Sequence, residues 1–98
     1  MAPELVDLEV AAVFRKLCAA QRFDVQRAGQ ALSDLYDLRL ERIPHRQLIA
    51  RCWELRSNVT MYDASYIAVA ELFGAVLLTA DVRLAKVPGA RCEVEVLN

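Results

Sequence analysis

Three carboxylates stand where a side chain of that type could do chemistry: Glu9, Asp63 and Asp81. Glu9 interrupts an apolar helical stripe, with Leu5 and Val13 at i±4 and Ala12 at i+3, so its charge points toward the apolar side. A carboxylate there needs a partner or a cation, because burying it alone is costly. Asp63 follows Thr60 by three residues at the start of a helical pattern, and Asp81 comes just after a short apolar run. Each also has a plain structural reading. Glu9 can be a rim residue that reaches water or pairs with Arg15 or Arg22, Asp63 can be half of a capping box, and Asp81 can be the N-cap of the turn after it. If the three converge, each close pair repels by on the order of 4 kcal/mol at an effective dielectric near 20. A bound cation, a proton or basic neighbours must then offset the repulsion. A hard cation such as Mg²⁺ prefers oxygen ligands, typically one or two carboxylates with waters and substrate phosphate. Such a site activates water and steadies the departing oxygen in phosphodiester hydrolysis. The sequence holds no GxSxG elbow, phosphate-binding glycine loop, CxxC pair or HExxH to support a rival chemistry.

The elements that must position these acids are legible around residues 58–81. Thr60 is a good helix N-cap, and Tyr66, Ile67, Ala70 and Phe73 follow at helical spacing. Gly74 supplies the left-handed conformation that ends a helix. Val76, Leu77 and Leu78 form an unbroken apolar run that suits a strand buried on both faces of a parallel sheet. Asp81 then lies beyond the strand's carboxyl end, where open parallel sheets place ligands.

Before this stretch, the pattern predicts a helix over residues 3–20, with Pro3 in its first turn and a stripe of Leu5, Leu8, Ala12, Val13 and Leu17. A second helix opens with Asp24 as N-cap and ends near Asp37. Residues 38–43 read as an edge strand stopped by Pro44, and residues 45–56 as a third helix. His45, a lone histidine at that helix start, reads as a surface or capping residue. Five arginines against two glutamates lie in residues 38–56; these are solvated faces or a phosphate-contacting rim that includes Arg39, Arg42 and Arg46. After Asp81 come a short helical turn at residues 82–86, a Pro88-Gly89 turn and a final strand at residues 92–97 with one face wet.

A length of 98 residues sets a single small domain, and 56% hydrophobic content points to a strongly buried sheet with an oligomer or partner interface. No apolar run is long enough to span a membrane. No signal peptide is present, and the three scattered cysteines fit reduced thiols, so the expected location is cytoplasmic. A net charge of −1 gives no global attraction to nucleic acid, though metal ions can supply positive charge at a nuclease centre.

The segments Ala2-Pro3-Glu4-Leu5 with Glu9-Val10, Val59-Thr60-Met61-Tyr62-Asp63-Ala64-Ser65-Tyr66, and Leu77-Leu78-Thr79-Ala80-Asp81 resemble PIN-domain ribonucleases of the VapC toxin type, in order and spacing, over nearly the whole chain. The resemblance implies an α/β fold, a PIN-like α/β/α sandwich around a mostly parallel sheet, as one domain over residues 1–98. It implies a toxin that hydrolyses RNA with Mg²⁺ or Mn²⁺ held by an acidic cluster, here Glu9, Asp63 and Asp81, with Thr60 and Thr79 as hydroxyls that orient those carboxylates. A tRNA or rRNA substrate and a cognate VapB-like antitoxin come with the same resemblance. Family members open with a buried strand ending in an aspartate, and a helix follows it; this chain has no such segment. The expectation is therefore an incomplete domain that lacks one acidic ligand, with weakened metal binding and weak or no cleavage. Its remaining strands would close up or pair between chains, giving a homodimer by strand exchange or edge pairing. The alternative is a non-catalytic remnant that serves as an antitoxin-binding or oligomerisation module.

Overall fold

Helix α4 (Met61–Phe73) is the pivot of the computed structural model, which describes residues 1–97. The Thr60 hydroxyl accepts the backbone N–H of Asp63 at 3.2 Å and starts the helix. Gly74, at φ 61°, ends it in the left-handed region, and its N–H returns to the last turn. Ala64, Ser65, Ile67, Ala68, Val69 and Ala70 are all buried, so α4 is covered on most of its circumference. The small residues among them let neighbouring backbones approach closely.

Among the described residues, four short strands form two parallel pairs. Strand β1 (Ala2–Pro3) pairs with β2 (Arg42–Ile43), with Ala2 opposite Arg42 and Pro3 opposite Ile43. Strand β3 (Leu77–Thr79) pairs with β4 (Val94–Val96), with Leu77 opposite Val94. Helix α1 (Leu5–Ala19) and helix α2 (Val25–Asp37) lie between β1 and β2 in sequence. A 3-10 turn at His45–Gln47 and helix α3 (Ile49–Glu54) precede α4, and a second 3-10 turn at Val82–Lys86 joins β3 to β4. The α/β class with parallel strands is as the sequence implies. The core gathers Ile43, Leu48, Cys52, Leu55, Ile67, Leu77 and Leu84 around α4.

Several expectations change. The strands do not close up: two separate two-stranded sheets remain. Pro3 sits in β1 rather than in a helix, because the flanking Ala2 and Glu4 N–H groups donate to the Glu41 and Ile43 carbonyls, each at 3.0 Å. The expected strand at 38–43 shrinks to two residues for want of further partners. The apolar stripe of α1 is covered only in part: Leu5 and Leu17 are half-buried, while Leu8 stays 69% and Val13 56% exposed. Strand β3 is buried on one face only; Leu77 is inside and Leu78 is exposed. The third helix breaks into the 3-10 turn and α3 at Leu48, whose side chain is buried in the core. The N-caps Asp24 and Asp81, the Gly89 turn and the alternation of β4 are as expected.

Candidate functional site

Asp63 and Asp81 line one cleft, together with Asn58, Val59, Thr60, Arg83, Leu84 and Val87. The capped start of α4 delivers Asp63, and the end of β3 delivers Asp81. The two threonines fix the backbone rather than the carboxylates. Thr60 Oγ1 accepts the Asp63 N–H, and Thr79 Oγ1 accepts the Asp81 N–H at 3.0 Å. The hydroxyls thus hold each aspartate by its main chain and leave its carboxylate free for other contacts.

Asp81 is both a cap and an ion-pair member. Its Oδ1 accepts the Arg83 N–H at 2.9 Å, and the Arg83 guanidinium reaches Oδ2 at 2.7 Å. The hydrogen bonds from the Arg83 side chain, then from its backbone, hold the Asp81 carboxyl down to about 2. Asp63 also contributes to raising Arg83 above its ordinary value, after Asp81 itself, so the guanidinium stands in the field of both acids. The Asp63 carboxylate accepts no hydrogen bond among the described residues.

Glu9 is held by neither Arg15 nor Arg22. The Tyr66 hydroxyl donates to Glu9 Oε1 across α1 and α4. Burial, then the Glu9 hydrogen bond and charge, then the Asp63 charge, push the Tyr66 hydroxyl well above its usual range, so it stays a donor. Tyr66 therefore stands in the field of both Glu9 and Asp63. Among the described residues, no three Asp, Glu, His or Cys side chains stand close enough together to hold a metal ion. The structure brings two of the three acids into one cleft and ties the third to them through Tyr66.

Of the arginines expected at a phosphate rim, Arg42 is spent internally. It makes a bidentate pair with Asp7 at 2.6 and 2.9 Å and donates to the Leu40 and Leu35 carbonyls. Its charge is paired with Asp7, and four of its five N–H donors are engaged within the chain. Arg39 and Arg46 are exposed. His45 starts its 3-10 turn with Nδ1 at 3.7 Å from Glu4 Oε1. The cysteines are free thiols, as expected.

The sequence reading missed Arg83 and the role of Tyr66. Both had a signal: Arg83 is two residues after Asp81, and Tyr66 is one helical turn after Asp63, on its face.

Parallel strands, a capped central helix and acids at a strand end and a helix start define a class of α/β domain with an acidic cleft. The chain belongs to the PIN domain family, which it matches over residues 1–90. It is 39% identical over 95 residues to the VapC ribonuclease Mb0985 of Mycobacterium bovis, covering 97% of this chain and 75% of that protein. It is 41% identical over 98 residues to Ribonuclease VapC1 of Mycobacterium tuberculosis, covering 99% of this chain and 74% of that protein. Ribonuclease VapC12 of the same species is 31% identical over 96 residues. No solved structure matches. Among the described residues no helix is long and apolar enough to cross a membrane.

Proposed function

We propose that this chain is a VapC-type toxin that hydrolyses RNA at the cleft between the first turn of α4 and the end of β3. The observation that carries the reading is the shared cleft of Asp63 and Asp81, each delivered by a threonine-fixed backbone. The donor set suits Mg²⁺ or Mn²⁺, since such ions are commonly held by one or two carboxylates with waters and substrate phosphate completing the shell. Asp63, with its unengaged carboxylate, and Asp81 would hold the ion, and Glu9 is held by Tyr66, which also stands in the field of Asp63. When bound, the ion polarises the phosphodiester and lowers the pKa of water.

The remaining work belongs to the chain's own groups. Arg83 holds the Asp81 carboxyl down to about 2, so Asp81 stays ionised well into the acid range. Tyr66 keeps its proton and fixes Glu9. Arg83, whose side chain is 84% exposed, can leave Asp81 to meet an RNA phosphate. A VapB-like antitoxin is part of the proposal. It is supported by the VapC relatives and by the apolar cleft of Leu5, Leu48, Ile49, Cys52, Met61 and Tyr62.

A second reading, a binding module without catalysis, is favoured by one observation: the Arg83 guanidinium already satisfies Asp81. The two separate in a single experiment, Mn²⁺-dependent cleavage of total cellular RNA by the chain beside Asp63→Asn and Asp81→Asn. The nuclease reading expects at least a hundredfold loss in both variants with unchanged thermal melts, and site-specific Mn²⁺ broadening of the Asp63 and Asp81 carboxyl resonances in the native chain. Equal RNA cleavage by all three proteins, or broadening that spares both aspartates, refutes it.

A further inference from the structure

Trp53, the only tryptophan of the chain, leaves its ring in solvent. It stands on α3, while Cys52 before it and Leu55 after it turn into the core. The Arg56 guanidinium lies over the ring, its central carbon 4.7 Å from the centroid. A terminal nitrogen of Arg56 donates to the Trp53 carbonyl at 2.8 Å and holds the guanidinium in that place. With one face covered in this way Trp53 is still 61% exposed, so the opposite face is open. The neighbouring Glu54 pairs with Arg51 at 3.1 Å rather than with Arg56. Among the described residues no carboxylate pairs with Arg56.

This ring and cation stand beside the acidic cleft. Arg56 is two residues before Asn58, which lines that cleft, and two residues span at most about 7 Å. The joining segment is pinned. Leu55 is 1% exposed, and its carbonyl accepts the N–H groups of Asn58 at 3.0 Å and Val59 at 3.2 Å. The Asn58 side chain donates to the Pro88 carbonyl at 3.0 Å. One buried leucine thus sets both the ring and the near wall of the cleft.

We propose that Trp53 and Arg56 form a stacking platform for one unpaired base of the RNA strand whose phosphodiester lies in the acidic cleft. The proposal deepens the nuclease reading and rests on its placing of RNA there. The base lies on the open face of the indole. Arg56 clamps the other face and turns its remaining N–H donors to the phosphate of the same nucleotide. The chemistry of the platform selects its occupant. Every base has a flat π-face, and unpaired RNA is held by stacking on aromatic and guanidinium planes together with positive charge along its backbone. An open ring with a free cation beside it complements a base joined to a phosphate. A duplex, whose bases already stack on one another, has no such face to offer. The two residues fix the register of the strand over Asp63 and Asp81 and take no part in breaking the bond.

The chain carries its own reporter. Trp53 fluorescence is followed while hexaadenylate RNA is added at low salt without divalent metal, so that no strand is cut. An abasic ribose-phosphate strand of equal length is run beside it. Hexaadenylate is expected to quench the indole and the abasic strand to leave it bright. Anisotropy of labelled hexaadenylate is expected to show about tenfold weaker binding by Trp53→Ala and near-native binding by Trp53→Phe, which keeps a ring. Arg56→Ala is expected to flatten the slope of log affinity against log salt by about 0.7, the share of one phosphate on a single strand. Trp53 lies outside the core, so Trp53→Ala is expected to melt within about 5 °C of the native chain. Should it fail to fold, Trp53→Leu takes its place, keeping apolar bulk without a π-face. Equal quenching by both strands, no quenching at millimolar RNA, or unchanged affinity in Trp53→Ala overturns the proposal. So does RNA-free emission that moves to the blue as the chain is concentrated, which assigns the indole to a second copy. Mn²⁺-dependent cleavage of the same RNA separates this failure from that of the nuclease reading. Quenching without cleavage refutes the nuclease and leaves the platform standing, while cleavage with an unchanged KM in Trp53→Ala refutes the platform alone.

Discussion

Replacing Glu71 by alanine removes the hub of a network that fixes α4 against its neighbours. Glu71 Oε1 accepts Arg51 Nε at 2.6 Å, and Oε2 accepts an Arg51 terminal nitrogen at 3.0 Å and the Arg91 N–H at 2.6 Å. The same Arg51 donates to the Gly89 carbonyl at 2.7 Å and to Glu54 at 3.1 Å. Side-chain exposure is 19% for Arg51 and 12% for Glu71, so the pair lies between surface and core. Breaking a fully buried pair costs about 3–5 kcal/mol, and an exposed one about 0–1. Arg51 keeps Glu54 and the Gly89 carbonyl in the variant, so the expected loss is about 2–3 kcal/mol. For a domain of this size that lowers the melting temperature by about 10–20 °C. Urea unfolding followed by far-UV circular dichroism reads it directly. The pH dependence has a definite sign. The Arg51 hydrogen bonds, opposed in part by burial, hold the Glu71 carboxyl below its ordinary 4.5. A depressed carboxyl stabilises the fold fully above its unfolded pKa and loses that contribution as pH falls through the folded one. The gap between native and variant is thus constant above about pH 5 and narrows below pH 4.5. A loss under about 1 kcal/mol, or a gap that does not change down to pH 3, refutes the clamp.

Four further outcomes follow from named residues. In Arg83→Ala the Asp81 carboxyl rises from about 2 but stays below its ordinary 3.8, because the backbone N–H of residue 83 still donates to it; carbon NMR titration reads this, and no rise means the guanidinium is not the main cause. The same variant is expected to bind Mn²⁺ more tightly, since no cation competes for Asp81. Thr60→Ala loses the cap on Asp63 and about 1 kcal/mol of stability in urea melts, while Thr60→Ser keeps most of it. Gly74→Ala meets open space but must hold φ at 61°, so it costs about 1 kcal/mol through backbone strain alone.

The local signals in the sequence were reliable where the chemistry is local. The Thr60 and Asp24 caps, the Gly74 stop and the Asp81 cap each depend on residues within four positions of one another, and all stand as read. The α/β class was likewise legible in the apolar run before Asp81. What the sequence hid was long range. Pro3 is a good helix starter in isolation, and only the carbonyls of residues 41 and 43 make it a strand. Arg42 looked like a free cation until Asp7, 35 residues away, paired with it. The pairing of Glu9 with Tyr66 spans 57 residues, and Arg15 and Arg22 were the nearer choices by sequence. The apolar stripe of α1 was correctly read as apolar, but nothing in its pattern reveals that Leu8 and Val13 stay exposed while Leu5 and Leu17 are half-buried.

Helix phase explains how one element serves both the site and the scaffold. Asp63, Tyr66 and Ala70 recur at i, i+3 and i+7, so they share a face that runs from the acidic cleft to the apolar pocket beside Pro3, Val76 and Leu78. Glu71 is one residue further round, on the side that faces Arg51 of α3 and the turn at Gly89. The clamp at Glu71 lies about 12 Å along the axis from Asp63 and therefore touches neither ligand nor acid. It sets the rotation of α4 about its axis, and rotation decides whether Asp63 faces Asp81 and whether Tyr66 reaches Glu9.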